Sequence, residues 1–300
     1  MNDKLGARTV KLKTVKQAVE PIPPGASLAL GGSYNRRHPM AFVHELIRQN
    51  KDALTLYGWN NGIDFDLLIA AGLVREAHSS YVGMANLGLA KNFRRAYEQK
   101  QFHYVDHTET TAQDRFIAAS KGLTFAVSKV AMHTDLMRQP EYRTEIICPF
   151  TGERYHALEA WSAQYAFIHA SKADKFGNVQ FDAVRMLENE PDIFIGKSAK
   201  KLIVSVEEIV DTETIMKNKL QTLLPAFLVE SVCHVPMGAH PNSCDNRYDF
   251  DLEHGAHYQR CSGSTEGVKR YIDEFIRDST DFDEYLLKVV RQKEEYAHGN

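Results

Sequence analysis

Glu109 is the side chain best placed in this sequence to do chemistry. It stands in "YVDHTETTAQDRF", just past a strand-like run at 102–105, and Thr111 with Asp114 three residues on fits a helix-capping box. The expectation is a carboxylate in a strand-to-helix loop, ahead of a capped helix. Such a group can take a proton, attack an electrophile or accept a hydrogen bond. The bland alternative is a solvated loop acid. Two barer loops open on the same rim. "LALGGSYNRRHP" ends an apolar run in Gly31 and Gly32, followed by Ser33, Arg36 and Arg37. Backbone without Cβ atoms lets a ligand come close and aims the N–H groups of a helix start at it. Arg36 and Arg37 read as a cationic rim for a phosphorylated or carboxylate ligand, or else as surface charge paired with nearby acids. "YGWNNGIDFD" puts Gly58, Asn60 and Asn61 at the end of the next strand. With Thr110 beside Glu109, these are the candidate substrate-binding residues.

Other chemistry finds no anchor. Neither G-x-G-x-x-G nor G-x-x-x-x-G-K-[ST] occurs, and no G-x-S-x-G elbow supports a hydrolase triad. His254, His257 and Cys261 would share one face of a helix, as metal ligands do. Gly255 and polar, irregular surroundings argue against that, and no fourth ligand is forced. No metal is assigned.

The elements that must hold these residues follow an alternating pattern. Strand-like runs at 27–30, 54–57, 78–82, 102–105, 125–130, 165–169, 202–206 and 231–235 are separated by amphipathic stretches. Residues 39–49 carry Met40, Val43, Leu46 and Ile47 on one helical face, and Pro39 suits a first turn. Residues 64–71 stop at Gly72, a helix C-terminal signal. Gly177-Asn178 between apolar runs reads as a hairpin turn. The fold class expected is α/β, an open, mainly parallel sheet with helices on both faces. Residues 1–236 form that domain. Residues 237–300 are a C-terminal extension, polar and irregular up to Cys261, with helical patterns at 267–277 and 282–293, packing on the domain or on a partner.

The 300 residues are 43% apolar, enough for a sizeable core, and the net charge is −3. That balance gives no footprint for nucleic acid and no cationic membrane face. No apolar run nears the roughly 20 residues needed to cross a bilayer, and the first 17 residues lack a signal-peptide core. Four cysteines without CxxC spacing read as reduced thiols of a cytoplasmic protein.

In their order and spacing, "LALGGSYNRRHPMAFVHELIRQNKDALTLYG", "FDLLIAAGLVREAHSSYVG", "AFIHASKADKFGNVQF" and "LIVSVEEIVDTETI" resemble the α subunit of family I coenzyme A transferases. "VCHVPMGAHPNSCDNRYDFD" followed by "DFDEYLLKV" resembles the glutaconate-type branch. The resemblance covers nearly the whole length. It implies a CoA thioester as substrate, no tightly bound cofactor, and an acyl-CoA site served by the Gly31-Gly32 turn. It also implies a β subunit carrying the glutamate that attacks the thioester and becomes a glutamyl-CoA thioester. The substrates are then an acyl-CoA and a carboxylic acid, and the assembly is a hetero-oligomer. Glu109 matches an active-site position where several transferases have glutamine, whose amide can donate to an oxyanion. Related ring-opening CoA-thioester hydrolases carry an acid there, which would make Glu109 a base. Transfer, hydrolysis and a non-catalytic acyl-CoA-binding role all stay open at this point.

Overall fold

Short apolar runs become strands here because each is cut by residues that turn the chain. A computed structural model describes residues 9–182 and 190–298. The first eight residues, part of the stretch read above for a signal peptide, lie outside them. In chain order α1 (Val15–Val19) leads to β1 (Ser27–Leu30), α2 (Met40–Arg48), β2 (Leu54–Tyr57), the short β3 (Asn60–Asn61), α3 (Ile63–Ala70), β4 (Val74–Ser79), β5 (Tyr81–Val82), α4 (Lys91–Glu98), β6 (His103–Asp106) and α5 (Glu109–Ser120). An antiparallel excursion follows, made of β7 (Phe125–Ser128), β8 (Glu145–Ile147) and β9 (Arg154–Glu159). The chain returns as β10 (Tyr165–Asp174), β11 (Val179–Gln180), α6 (Glu190–Ser198), β12 (Lys201–Val210), α7 (Thr212–Lys217), β13 (Thr222–Leu224) and β14 (Val229–His234). Then come α8 (Leu252–Cys261), α9 (Thr265–Tyr271) and α10 (Phe282–His298).

The main sheet runs β14-β12-β10-β1-β2-β4-β6, every neighbouring pair parallel. β11 and β13 extend it antiparallel from the far end of β10. Strand order reverses at β1, so the β1/β10 junction is the switch point where open α/β sheets form a crevice. Alternation along each strand feeds two cores. Leu28, Leu30, Phe167 and Ile203 face one core with α2, α3 and the C-terminal helices. Ala29, Ala166, Ile168 and Val204 face the other, with α5 and α6. Helices therefore cover both faces, as the alternating pattern requires.

The strands at 27–30 and 54–57 form as expected. The run at 78–82 does not: β4 spans Val74–Ser79, its start masked by Arg75 and Glu76, and Ser80 diverts the chain into β5, which pairs with β3. Gly177-Asn178 makes the expected hairpin, with Gly177 at φ +97°. The extension is more regular than its composition suggests. α8 is helical through Gly255, because Asp251 caps it by accepting from the His254 N–H at 3.0 Å. Tyr258, Tyr271, Phe275 and Tyr285 then join the α2–α3 core. The extension thus packs on the domain and shares its core. No helix among the described residues is long and apolar enough to cross a membrane.

That shared core holds neutral histidines. His44 is fully buried against Phe282 and Tyr285, and neither ring nitrogen has a partner among the described residues. Burial, with Arg48, His254 and His240 nearby, pushes its pKa well below the ordinary 6.5. Burial, aided by His240, lowers His254 to about 3. The unfolded chain takes up these protons near pH 6.5 and the folded chain does not, so stability falls as pH drops below that value. His44→Phe should lessen the loss of melting temperature between about pH 7 and about pH 5.5, read by thermal melts across that range. An unchanged slope would show that His44 is not part of the acid response.

Candidate functional site

Parallel strands bring the loops after their carboxyl ends to one edge. There the turns after β1 and β2 meet the start of α5. The turn after β1 is bare for packing. A Cβ on Gly31 would lie 2.6 Å from Asp192 Oδ1 and 2.7 Å from Ile168 Cγ2. Gly32, at φ +92°, would clash with the His38 N and Arg36 O. The backbone donors of the turn are already engaged: Gly31 N–H to Phe167 O, Gly32 N–H to Asp192 and Ser33 N–H to Arg36 O. The expected anion cradle is therefore replaced by internal bonding.

Arg36 and Arg37 are likewise not a rim held open for ligand. The Arg37 guanidinium, 1% exposed, donates from Nε and Nη2 to Asp192 Oδ2 at 3.1 and 3.0 Å, and from Nη1 to Asp245. Burial alone would lower its pKa, but the two aspartates outweigh this and raise it. Arg36, partly exposed, pairs with Asp245 as well. The Met237–Asp251 stretch is thus strapped to the first turn. Beneath it His38 and Asp64 form a second buried ion pair at 3.1 Å. Burial opposes both charges, yet each partner holds the other ionised, so His38 is raised and Asp64 lowered. His38 Nδ1 also faces Gly31 O at 3.0 Å and Nε2 faces Tyr34 O at 2.9 Å. Both are acceptors only, which requires an imidazolium.

Glu109 is the first residue of α5, not a loop residue before it. Thr108 caps the helix: its Oγ1 accepts from Thr111 N–H at 3.0 Å, and Thr111 Oγ1 accepts from Thr108 N–H at 3.1 Å. The box lies three residues earlier than Thr111/Asp114 because a threonine hydroxyl serves at both of its ends. An acid in the first turn suits the helix dipole. Below the cap a buried chain runs from Thr111 through Tyr142 and His107 to His78. Burial, with Arg115 and His78 near, lowers His107 to about 2, so this support is neutral. Glu109 itself is exposed. Its Oε1 accepts from Tyr34 Oη and Asn60 Nδ2, both at 2.9 Å. Trp59 Nε1 donates to its backbone carbonyl at 3.2 Å.

The remaining candidates divide. Asn60 reaches Glu109. Asn61 turns inward, donating to Asp64 Oδ2 at 2.8 Å, and Gly58 is bare because a Cβ would overlap the Asn61 side chain. Thr110 is exposed on the rim. Ser33 is fully buried with its Oγ unpartnered among the described residues. Tyr34, His38, Asp64 and Asp192 were not among the residues singled out from sequence. Tyr34 lay inside "GGSYNRRHP", but no local signal directs its phenol toward residue 109.

A family model described as Coenzyme A transferase matches residues 12–234. The chain belongs to the coenzyme A transferase family. The A subunit of the 3-oxoadipate CoA-transferase from Pseudomonas knackmussii is 32% identical, over 94% of this chain and 99% of that one. The crystal structure of glutaconate coenzyme A-transferase from Acidaminococcus fermentans superposes with a TM-score of 0.88 at 28% identity, covering 93% and 92%. An uncharacterized protein of Archaeoglobus fulgidus is 34% identical over 91% of this chain, which spans only 60% of that relative's length. A cholesterol ring-cleaving hydrolase subunit of Rhodococcus jostii stands further off, at 27% over 95% and 97%.

In this coenzyme A transferase chain, two further clusters look like sites and are better read as structure. His254 bonds Tyr271 Oη at 2.8 Å, and His257 lies 3.0 Å from Gln292, so both rings serve the helix packing. His169, Glu207 and Cys244 bring a nitrogen, an oxygen and a sulfur within 4.8 Å of one another. The Glu207 carboxylate, however, already accepts from His169, Tyr248 Oη and the Met237 N–H. Burial, with Glu207 close by, pushes the Cys244 thiol up to about 12. The cluster fastens the extension to β10 and β12.

The two arginines give a direct contrast. Arg37→Leu leaves the buried Asp192 without its cation and should cost about 3–5 kcal/mol. Arg36→Leu, partly exposed, should cost at most about 1 kcal/mol. Urea denaturation of the two variants measures both, and equal losses would overturn the assignment of Arg37 as the buried anchor.

Proposed function

We propose that this chain is the α half of a two-subunit CoA-transferase, moving CoA between an acyl-CoA thioester and a carboxylic acid. One observation carries the reading: Glu109 opens α5 at the strand-end edge, held through a single carboxylate oxygen by Tyr34 and Asn60. The family and the full-length likeness to a transferase of this kind support it. The covalent step belongs to a β-subunit glutamate: its carboxylate attacks the acyl-CoA thioester to give an acyl-glutamyl anhydride and CoA thiolate, and the thiolate then attacks the glutamyl carbonyl, releasing the carboxylic acid and leaving CoA as a glutamyl thioester. Glu109 orients substrate or water beside it. Thr110, Asn60 and the rim of the glycine turn then border the acyl-CoA. Ile147 and Phe150 on the excursion, 67% and 93% exposed, offer an apolar surface for the β subunit. The setting proposed is the cytoplasm, where the four thiols stay reduced.

A second reading has one feature in its favour. Position 109 is a carboxylate rather than an amide, and a carboxylate can act as base toward water in a thioester hydrolase. Glu109→Gln in the co-expressed heteromer separates the two. A transferase should keep substantial CoA exchange and still form the β-subunit adduct, trapped by hydroxylamine or borohydride. A hydrolase should lose roughly 10²–10⁴-fold, the usual worth of a general base. Loss of turnover with no adduct in either subunit rules out transfer. If no acyl-CoA and acid pair reacts with any co-encoded partner, the chain is an acyl-CoA-binding subunit instead.

A further inference from the structure

Tyr34 takes up an unfavourable backbone conformation. Its φ is +54°, in the left-handed region that a bulky, Cβ-bearing residue avoids. The neighbours hold it there from several sides. Its N–H donates to Asn60 O at 2.9 Å, its carbonyl accepts from the His38 imidazolium at 2.9 Å, and its ring lies 5.4 Å from that of Tyr81. Strain fixed this thoroughly points to a use for the side chain, and the side chain ends on Glu109. Asn60 is fixed in the same way. It is fully buried, Ser80 Oγ lies 2.9 Å from its Oδ1, and its Nδ2 faces Glu109 because an ionised carboxylate only accepts. Both donors meet the same oxygen. Oε2 takes no hydrogen bond from any described residue. A polar pair on an exposed acid is ordinarily decoration, since such contacts contribute little. Here one donor is strained and the other buried, which decoration does not require.

We propose that Tyr34 and Asn60 are positioning residues that clamp Oε1 of Glu109, so that Oε2 alone is presented over the strand ends. The inference rests on the reading that Glu109 faces the substrate. Its content is that the carboxylate acts with one assigned oxygen and in one orientation. The clamp also couples distant parts of the site. Tyr34 is locked by His38, His38 by Asp64, and Asp64 by the Asn61 amide and the Gly62 N–H. The turns after β1 and β2 therefore set the aim of a residue that begins α5.

The test uses the α chain co-expressed with its β subunit. Tyr34→Phe removes one hydroxyl and leaves the ring packing. Turnover should fall about tenfold, the effect of one hydrogen bond to a charged group, while KM for the acyl-CoA stays within about twofold. In a Glu109→Ala background, Tyr34→Phe should have no further effect, because its hydroxyl acts through the carboxylate. A crystal structure of the Tyr34→Phe heteromer should show the Glu109 side chain swung off the Asn60 side or in more than one rotamer. Equal losses from Tyr34→Phe with and without Glu109 would overturn the proposal, as would an unmoved carboxylate. Should Tyr34→Phe fail to assemble, Asn60→Ala carries the same expectations. Full activity in Glu109→Ala alone would instead defeat the reading of Glu109, and a tenfold loss in Tyr34→Phe alongside it would assign Tyr34 a role of its own and overturn the clamp.

Discussion

Arg37 carries a full charge into a place almost without water, and most of the functional edge is arranged around that fact. An unpaired guanidinium there would be prohibitive, so two carboxylates must meet it with good geometry. Asp192 arrives from α6, and Asp245 from the strap after β14. Asp192 also accepts from the Gly32 N–H, so the same carboxylate fixes the turn's backbone and its charge. Three segments distant in sequence are tied at one point. The position of the β1 turn follows from this knot, and through Tyr34 and His38 so does the setting of Glu109.

The bare backbone that looks like a ligand cradle is explained by the knot. Gly31 has no Cβ because Asp192 and Ile168 occupy its space. Gly32 adopts φ +92° so that the chain can double back under His38. Glycine serves close approach in both cases, and what approaches is the protein itself. On the proposed reading, the donors left for a substrate are side chains and the first turn of α5. The three-stranded excursion packs on the flank, where its Tyr142 supports the start of α5, and the C-terminal helices pack on the α2–α3 face.

Local pattern carried the fold well. β1 and β2 were legible to the residue because apolar runs ended at Gly31 and Gly58, and the α/β alternation required parallel crossovers. The glutamate was legible as a residue just past β6, although it opens α5 rather than preceding it and its cap lies three residues earlier than the local pattern suggests. What could not be read were partners set by long-range contact. Nothing in "YNRRHP" says that Arg37 turns inward, because its aspartates lie 155 and 208 residues away. Around Gly255 the local mark of a helix is the Asp251 cap, and the rest of its support is an aromatic core supplied by distant residues. Polar residues such as Arg37, His38 and Asp64 are buried here because distant partners meet them.

The knot also bears on the order in which the chain is made. A protein is synthesised from its N-terminus, and early segments begin to collapse before later ones exist. β1, β2 and α2 can find each other as soon as they emerge. The turn between β1 and α2 cannot take its final form then, because one carboxylate for Arg37 comes 155 residues later and the other 208. Until the strap has followed β14 out of the ribosome, the Arg37 guanidinium has at most one of its two carboxylates. The edge thus sets only after Asp245 has emerged, and a chain cut short before it would lack the second carboxylate of the knot.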